Sequence, residues 1–467
     1  MTTPDTRGPA GPRDALTPDA DTAVAVAPPA ARPPASLRLA VYYVLIVTQA
    51  VSQLGSQVSA YAIGIAVFRA TGHATPLALV IFFSVLPAVV LSGYAGALAD
   101  RFDRRGLMLL ANLGYTLTSG LLLLSFASGA FQLWHLYALT LAAAAFASLE
   151  RPAFQASVAM LVPDSHRDRA NAIGQMVYPA AGVVAPAAAG VLYAMVGVAG
   201  SIAIDIATFV VAIAVLAVVR IPRPAETAEG VAMRASVWRQ VFDGFRYLAA
   251  RPALFGFCGY VSIVNFIANV AIALLTPYVL ARTGSAQLFG VVLAVMNVGG
   301  IAGALLISAG ARLGSRMQTV MLGVVGASFF LGLAGAARDA PAIAASLFLE
   351  ELALAFSNAP FWSLMQAKVP PDLQGRVFSA YMQLILLVSP LAFLVAGPLA
   401  DRVFEPARRL PVWRRVDWLV GSGPGAGMGL MFVVAGALVL GLSLAVYAIP
   451  AVRRLETDLP DHAAEAA

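Results

Sequence analysis

The sequence predicts an all-α polytopic membrane protein, with twelve transmembrane helices in two six-helix bundles related by a pseudo-twofold axis. Three observations carry that prediction. Of 467 residues, 60% are hydrophobic and 12% charged, and the mean hydropathy is +0.81. A soluble domain cannot hide that much apolar side chain. The apolar residues also fall into runs of about 20, the length that crosses a hydrocarbon core at 1.5 Å rise per residue. Finally, the second half of the chain repeats the first at a constant offset of 207 residues.

Residues 1–36, rich in Pro, Ala and Asp, contain no apolar stretch and read as a disordered cytoplasmic tail. The first bundle, 37–219, holds spans at roughly Leu39–Phe68, Leu77–Ala99, Leu107–Ser128, Leu133–Leu161, Ala170–Val196 and Ala199–Val219. The longest polar connection, 220–251, is read as a cytoplasmic linker. The second bundle, 252–450, holds Ala253–Leu280, Leu288–Ala311, Val320–Ala336, Ile343–Val369, Val377–Ala400 and Met428–Ile449, and 451–467 forms a cytoplasmic tail.

Charge sets the orientation. With both termini inside, 21 basic residues fall on the cytoplasmic side and eight outside, as the positive-inside rule requires. The loop Arg402–Gly427 is the exception, with five arginines outside. Keeping it there preserves six spans in the second half. The net charge of +6 punctuates apolar runs, so it signals orientation and not nucleic acid. Cys258 is the single cysteine, which excludes an intrachain disulfide and a cysteine metal cluster.

The repeat appears in three regions. Gly96-Ala97-Leu98 falls on Gly303-Ala304-Leu305, Val162-Pro163 on Val369-Pro370, and Ala189-Gly190 on Ala396-Gly397. Parallel repeats of this kind relate the halves of transporters whose substrate sits between them near the midplane.

Between spans 2 and 3 the chain reads GYAGALADRFDRRG, Gly93–Gly106. Asp100 stands at a helix C-terminus, where the dipole disfavours a carboxylate, so its partner must come from elsewhere. Gly96, Leu98, Asp100, Arg101, Arg104 and Arg105 resemble the loop 2–3 signature of the major facilitator superfamily, G-x-L-x-D-R-x-G-R-R, with Asp103 in place of the second glycine. The RFDRR form resembles the bacterial exporter branch that handles drugs, macrolides and siderophores. The resemblance implies the major facilitator fold. It also implies that Asp100 docks on the second half, at the start of span 11 (Pro371 to Arg376), and holds an outward-facing state. Gly182-Val-Val-Ala-Pro186-Ala-Ala-Ala-Gly190 loosely resembles the antiporter motif of these exporters, with Gly182, Pro186 and Gly190 as the expected hinge.

Polar residues inside spans are costly and face a cavity or a partner. Span 1 carries Gln49, Ser52, Gln53, Ser56 and Gln57 at helical spacing; span 4 carries Glu150, Arg151 and Gln155; span 7 carries Asn265 and Asn269; span 10 carries Glu350, Glu351, Asn358 and Trp362. In the family these four spans line the central cavity, which makes Gln53, Gln57, Arg151, Gln155, Asn265, Asn269, Asn358 and Trp362 the expected substrate contacts. Interhelical bonding at about 0.6 kcal/mol per contact is the competing use of each amide. A charge at helix centre costs about 3 kcal/mol even on a lenient scale. Arg151 is therefore expected to pair with a glutamate, and an unpaired one of Glu150, Glu350 and Glu351 to carry a proton. Asp205 on span 6 follows as a further proton candidate, with a structural role expected first.

These readings point to a monomeric secondary active transporter of the bacterial cytoplasmic membrane that exports an amphipathic small molecule in exchange for protons. It is expected to need no cofactor beyond the proton gradient, no metal and no nucleic-acid partner. A lysophospholipid flippase on the same fold is the alternative. A polytopic enzyme is disfavoured, because the sequence has no HExxH, P-loop or histidine–carboxylate cluster.

Overall fold

In lipid a backbone must satisfy its own hydrogen bonds, so the apolar runs fold as helices. A computed structural model describes residues 35–219, 245–311, 313–371 and 373–458, without the side chains of 92–101 and of a few single residues. The first half comprises α1 (Ala35–Thr71), α2 (Thr75–Arg101), α3 (Arg104–Ala127), α4 (Leu133–Leu161) and α5 (Arg167–Val218). The second comprises α6 (Pro252–Thr283), α7 (Ala286–Ser308), α8 (Arg316–Ala336), α9 (Ala340–Lys368), α10 (Gln374–Leu399) and α11 (Ala426–Ala448).

Ten described helices are long and apolar enough to cross a membrane. One of them, α5, contains two spans: Gly197, at φ 67°, is its break from helical dihedrals, and only glycine takes that value without strain. With α5 so divided and with α2 included, the described residues hold twelve spans.

Side-chain caps start several helices. Asp103 accepts from the Gly106 amide at 3.1 Å at the start of α3, and Asp339 from the Ala342 amide at 2.8 Å at the start of α9. Ser315 and Gln318 form a reciprocal capping box on α8. The helix assignment therefore moves Arg104 and Arg105 out of the expected loop and into the first turn of α3, with Asp103 as its cap.

The connection between α10 and α11 is ordered. Short helical turns at Ala400–Phe404, Glu405–Ala407, Pro411–Arg415 and Asp417–Val420 fold over that end of the second half, anchored by buried Trp413. Arg282 donates to the Val420 carbonyl at 2.8 Å, Arg338 to that of Trp418 at 2.8 Å, and Arg408 to that of Gly423 at 2.6 Å.

Three large cores show how the halves meet. Near the turn from α1 to α2, Ile65, Ala74 and Ala78 pack in one core with Leu274, Tyr278, Phe289, Phe393 and Phe432. That core crosses between the halves. At the opposite end each half has its own core: Tyr42, Leu45, Met108, Leu161 and Leu216 in the first, and Phe257, Met317, Met365, Tyr381 and Leu455 in the second. We call the joined end the closed end and the other the far end.

Of the segments read as tails and linker, residues 1–34, 220–244 and 459–467 lie outside the described residues.

Candidate functional site

The junction between the halves is built from small residues. A Cβ on Gly290 of α7 would stand 2.4 Å from the Pro186 carbonyl oxygen of α5, and one on Gly190 2.7 Å from the Ala286 carbonyl oxygen. One on Gly182 would meet the Asn297 amide oxygen at 2.9 Å. The segment expected to be a hinge is thus a close crossing, and α5 keeps helical dihedrals through Pro186. The crossing of α10 with α2 is equivalent: a Cβ on Gly397 would stand 2.5 Å from Cα of Thr75. Gly190 and Gly397 are the glycines that the 207-residue offset superposes.

The closed end also carries a polar clasp that the sequence reading missed. Asp401, just past α10, accepts from the backbone amides of Ala74 at 2.9 Å and Thr75 at 2.7 Å, and from the Thr75 hydroxyl at 2.6 Å. His73 Nδ1 lies 3.8 Å from the same carboxylate. Asp401 therefore occupies the N-terminus of α2, where free N–H groups and the positive end of the dipole favour an anion. These three hydrogen bonds join the two halves through one carboxylate. The signal was available: Asp401 ends an apolar run on α10 as Asp100 ends one on α2.

Of the expected gate, the side chains of Gly96, Asp100 and Arg101 lie outside the described residues, as does Asp372 at the expected docking point. The two remaining arginines are turned into the first half. Arg104 donates to the Ala156 carbonyl at 2.8 Å, and Arg105 to the Leu216 and Ala217 carbonyls at 2.7 and 2.5 Å. Leu216 and Ala217 belong to the last turn of α5, where a cation complements the dipole.

The polar stripe of α1 divides. Ser56 donates to Asp205 Oδ1 at 3.0 Å, Ser52 reaches the Thr208 carbonyl at 3.4 Å, and Gln49 bonds Glu150. These three face into the first half, while Gln53 and Gln57 are half-buried beside them. Glu150 is buried and held by Asn112 at 3.1 Å, with Tyr115 and Gln49 as its other donors. The donors that meet the Glu150 carboxylate are thus neutral, Asn112 and Tyr115 of α3 and Gln49 of α1. Arg151 and Gln155 are exposed, one turn apart on α4.

In the second half, Asn265, Asn358 and Trp362 line one cavity of about 290 Å³ with Tyr260, Phe361 and Tyr381. Trp362 meets Phe378 and Tyr381 edge-on at ring separations of 5.6 and 5.8 Å. Asn269 instead bonds Ser389 of α10 at 3.2 Å, an interhelical tie. Glu350 and Glu351 are half-buried on α9, and a Cβ on Gly300 of α7 would lie 3.3 Å from Glu351 Oε2. Among the described residues, no group of three or more His, Cys, Asp or Glu could hold a metal.

Two helical halves, joined at one end and with separate cores at the other, with an amide- and aromatic-lined cavity in the second, are the architecture of a multi-pass membrane transporter. The chain belongs to the Major Facilitator Superfamily, whose family model matches residues 45–393. Among curated relatives it is 26% identical over 417 residues to the MFS-type transporter YfiS of Bacillus subtilis, covering 86% of this chain and 91% of YfiS. It is 22% identical to Macrolide efflux protein A of Streptococcus pyogenes, covering 89% of this chain and 97% of that protein. It is 24% identical to the multidrug efflux pump Tap of Mycolicibacterium fortuitum, covering 72% and 83%. Among solved structures, a bacterial homologue of the human lysosomal transporter Spinster, inward-facing and unoccupied, superposes with a TM-score of 0.70 at 15% identity. It covers 92% of this chain and 99% of that one.

Proposed function

We propose that the protein is a secondary active exporter that moves an amphipathic small molecule out of a bacterial cell in exchange for protons, by alternating access. The observation that carries this reading is the asymmetry of the cores: one bridges the halves at the closed end and two stay apart at the far end. With both termini cytoplasmic, the closed end is extracellular and the cavity between the halves opens inward. The relatives named for macrolide and multidrug efflux support export of amphipathic compounds.

The gating reading follows from the α2–α10 pair. The two helices run antiparallel, and each ends in an acid, Asp100 on α2 and Asp401 on α10. Asp401 on the α2 N-terminus holds the extracellular end shut. Asp100, with Gly96, Arg101, Arg104 and Arg105 around it, docks on the start of α10 when the cytoplasmic end shuts. Each contact exists in one state only, so each shifts the equilibrium by its own differential energy, about 1.5–3 kcal/mol for a charge-assisted bond. Substrate contacts come from Gln53, Gln57, Arg151, Gln155, Asn265, Asn358 and Trp362. Glu350 and Glu351 take up and release the coupling proton, since among the described residues neither has an ion-pair or hydrogen-bond partner that would fix its charge.

Everted vesicles test this. Labelled erythromycin should accumulate when the vesicles are energised, and nigericin, which collapses ΔpH, should abolish accumulation. Glu350→Gln or Glu351→Gln should leave substrate binding measurable and remove the ΔpH dependence. Accumulation that ignores nigericin, or two single mutants that both respond to ΔpH like the parent, would contradict proton coupling through this pair.

A further inference from the structure

A second cavity, of about 350 Å³, lies mainly inside the first half, toward the closed end, with α6 closing one side through Ala273 and Thr276. It is separate from the aromatic cavity of the second half, with which it shares no lining residue. Asp205 on the second arm of α5 lines it and is only 5% exposed. One carboxylate oxygen accepts from Ser56 at 3.0 Å. Among the described residues, no Arg, Lys or His lines the cavity to offset the other oxygen.

Three of the hydroxyls around it have a defined polarity. Ser56 spends its hydrogen on Asp205, Thr118 on the Gly114 carbonyl at 2.9 Å, and Ser84 on the Ile81 carbonyl at 2.8 Å. A hydroxyl that donates elsewhere offers only lone pairs to the cavity. The remaining wall is largely aliphatic, including Ile63, Val80, Leu122 and Leu139. The lining therefore presents one carboxylate, three hydroxyls fixed as acceptors, further hydroxyls and apolar surface, and among the described residues it lacks a cationic group for an anion. Gly55 sets the approach of α1 to α5 that builds this wall, since a Cβ there would stand 2.9 Å from Thr208 Oγ1 and 3.3 Å from Asp205 Oδ1.

We infer that this cavity is a binding site for a lipophilic organic cation, with Asp205 facing the positive charge and the aliphatic wall holding the apolar body. The inference deepens the exporter reading by naming a substrate class and a place for it, mainly within the first half.

Equilibrium dialysis of tetraphenylphosphonium against the purified full chain tests it without transport. The parent should bind the cation saturably. Asp205→Asn should weaken binding at least tenfold, Asp205→Glu should retain more than Asn, and the neutral triphenylphosphine oxide should bind parent and Asp205→Asn alike. Ala143→Phe, which fills the cavity from its wall while keeping Asp205, should also block the cation; it carries the test if the Asn variant is not monodisperse. No saturable binding by the parent, an Asp205→Asn affinity equal to the parent's, or equal loss of cation and neutral ligand would overturn the site. So would full cation binding by Ala143→Phe. Cation binding as expected without nigericin-sensitive accumulation would instead contradict the exporter reading alone.

Discussion

Glu150 is an intramembrane acid with hydrogen-bond donors on three sides, unlike the pair proposed to carry the proton. Its carboxylate is buried and takes hydrogen bonds from Asn112, Tyr115 and Gln49, so α1, α3 and α4 are tied at one point. Removing a partner from a buried polar group costs about 1–3 kcal/mol. Glu150→Ala should therefore lower the stability of the purified protein by about that amount, read as a clear fall in thermal midpoint. Glu150→Gln, which keeps an acceptor, should lose less. A midpoint for Glu150→Ala equal to the parent's would show that the three-helix tie carries no stability. Spacing on the sequence placed Glu150 in a span but could not tell it from Glu351, because what separates them is the donors on neighbouring helices.

At the scale of elements, much was legible. The twelve apolar runs became twelve spans, and the break between spans 5 and 6 falls at Gly197, between the expected limits Val196 and Ala199. The repeat located Gly190 and Gly397, which turn out to seat the two equivalent crossings between the halves. The rotation of each helix was not legible. A helix apolar around most of its circumference carries no stripe that fixes which face turns inward, so the α1 residues expected in one cavity divide between the first-half core and its edge. Asp401 was missed for a related reason: it ends a span, and the partner that gives it meaning lies 326 residues away in sequence. The α10–α11 connection adds a further point. Arg282, Arg338 and Arg408 are spent on carbonyls of that cap, so basic residues there serve structure as well as orientation. Its location is testable in a Cys258→Ser background. A single cysteine at Ser422 should react with an impermeant maleimide on intact cells, and one in the 220–251 segment should not. The reverse pattern would invert the topology.

At the scale of the molecule, two helices of antiparallel sense, α2 and α10, link the halves at the closed end. Asp401 clasps α2 at the closed end, and small residues let α5 meet α7 and α10 meet α2 backbone to backbone. Close packing of this kind is either made or lost, so the junction favours discrete states. In the proposed cycle Thr75 meets Asp401 only while that end is shut, so the energy of the clasp would bias the states and not contribute to stability in general. The aromatic cavity lies within the second half, and the Asp205 cavity lies mainly in the first with Ala273 and Thr276 of α6 on its wall.

The most direct measurement is a pair of spin-label distances in the Cys258→Ser protein. One pair, Ser128→Cys with Ser422→Cys, spans the halves at the closed end; the other, Ser165→Cys with Pro371→Cys, spans them at the far end. In the parent the first distance should be dominated by one short population. Introducing Asp401→Asn removes the carboxylate charge from the α2 N-terminus, so a longer closed-end population should appear while the far-end distance shortens. If Asp401→Asn leaves both distance distributions as they are in the parent, Asp401 is not a state-selective clasp and the account of how this transporter closes is wrong.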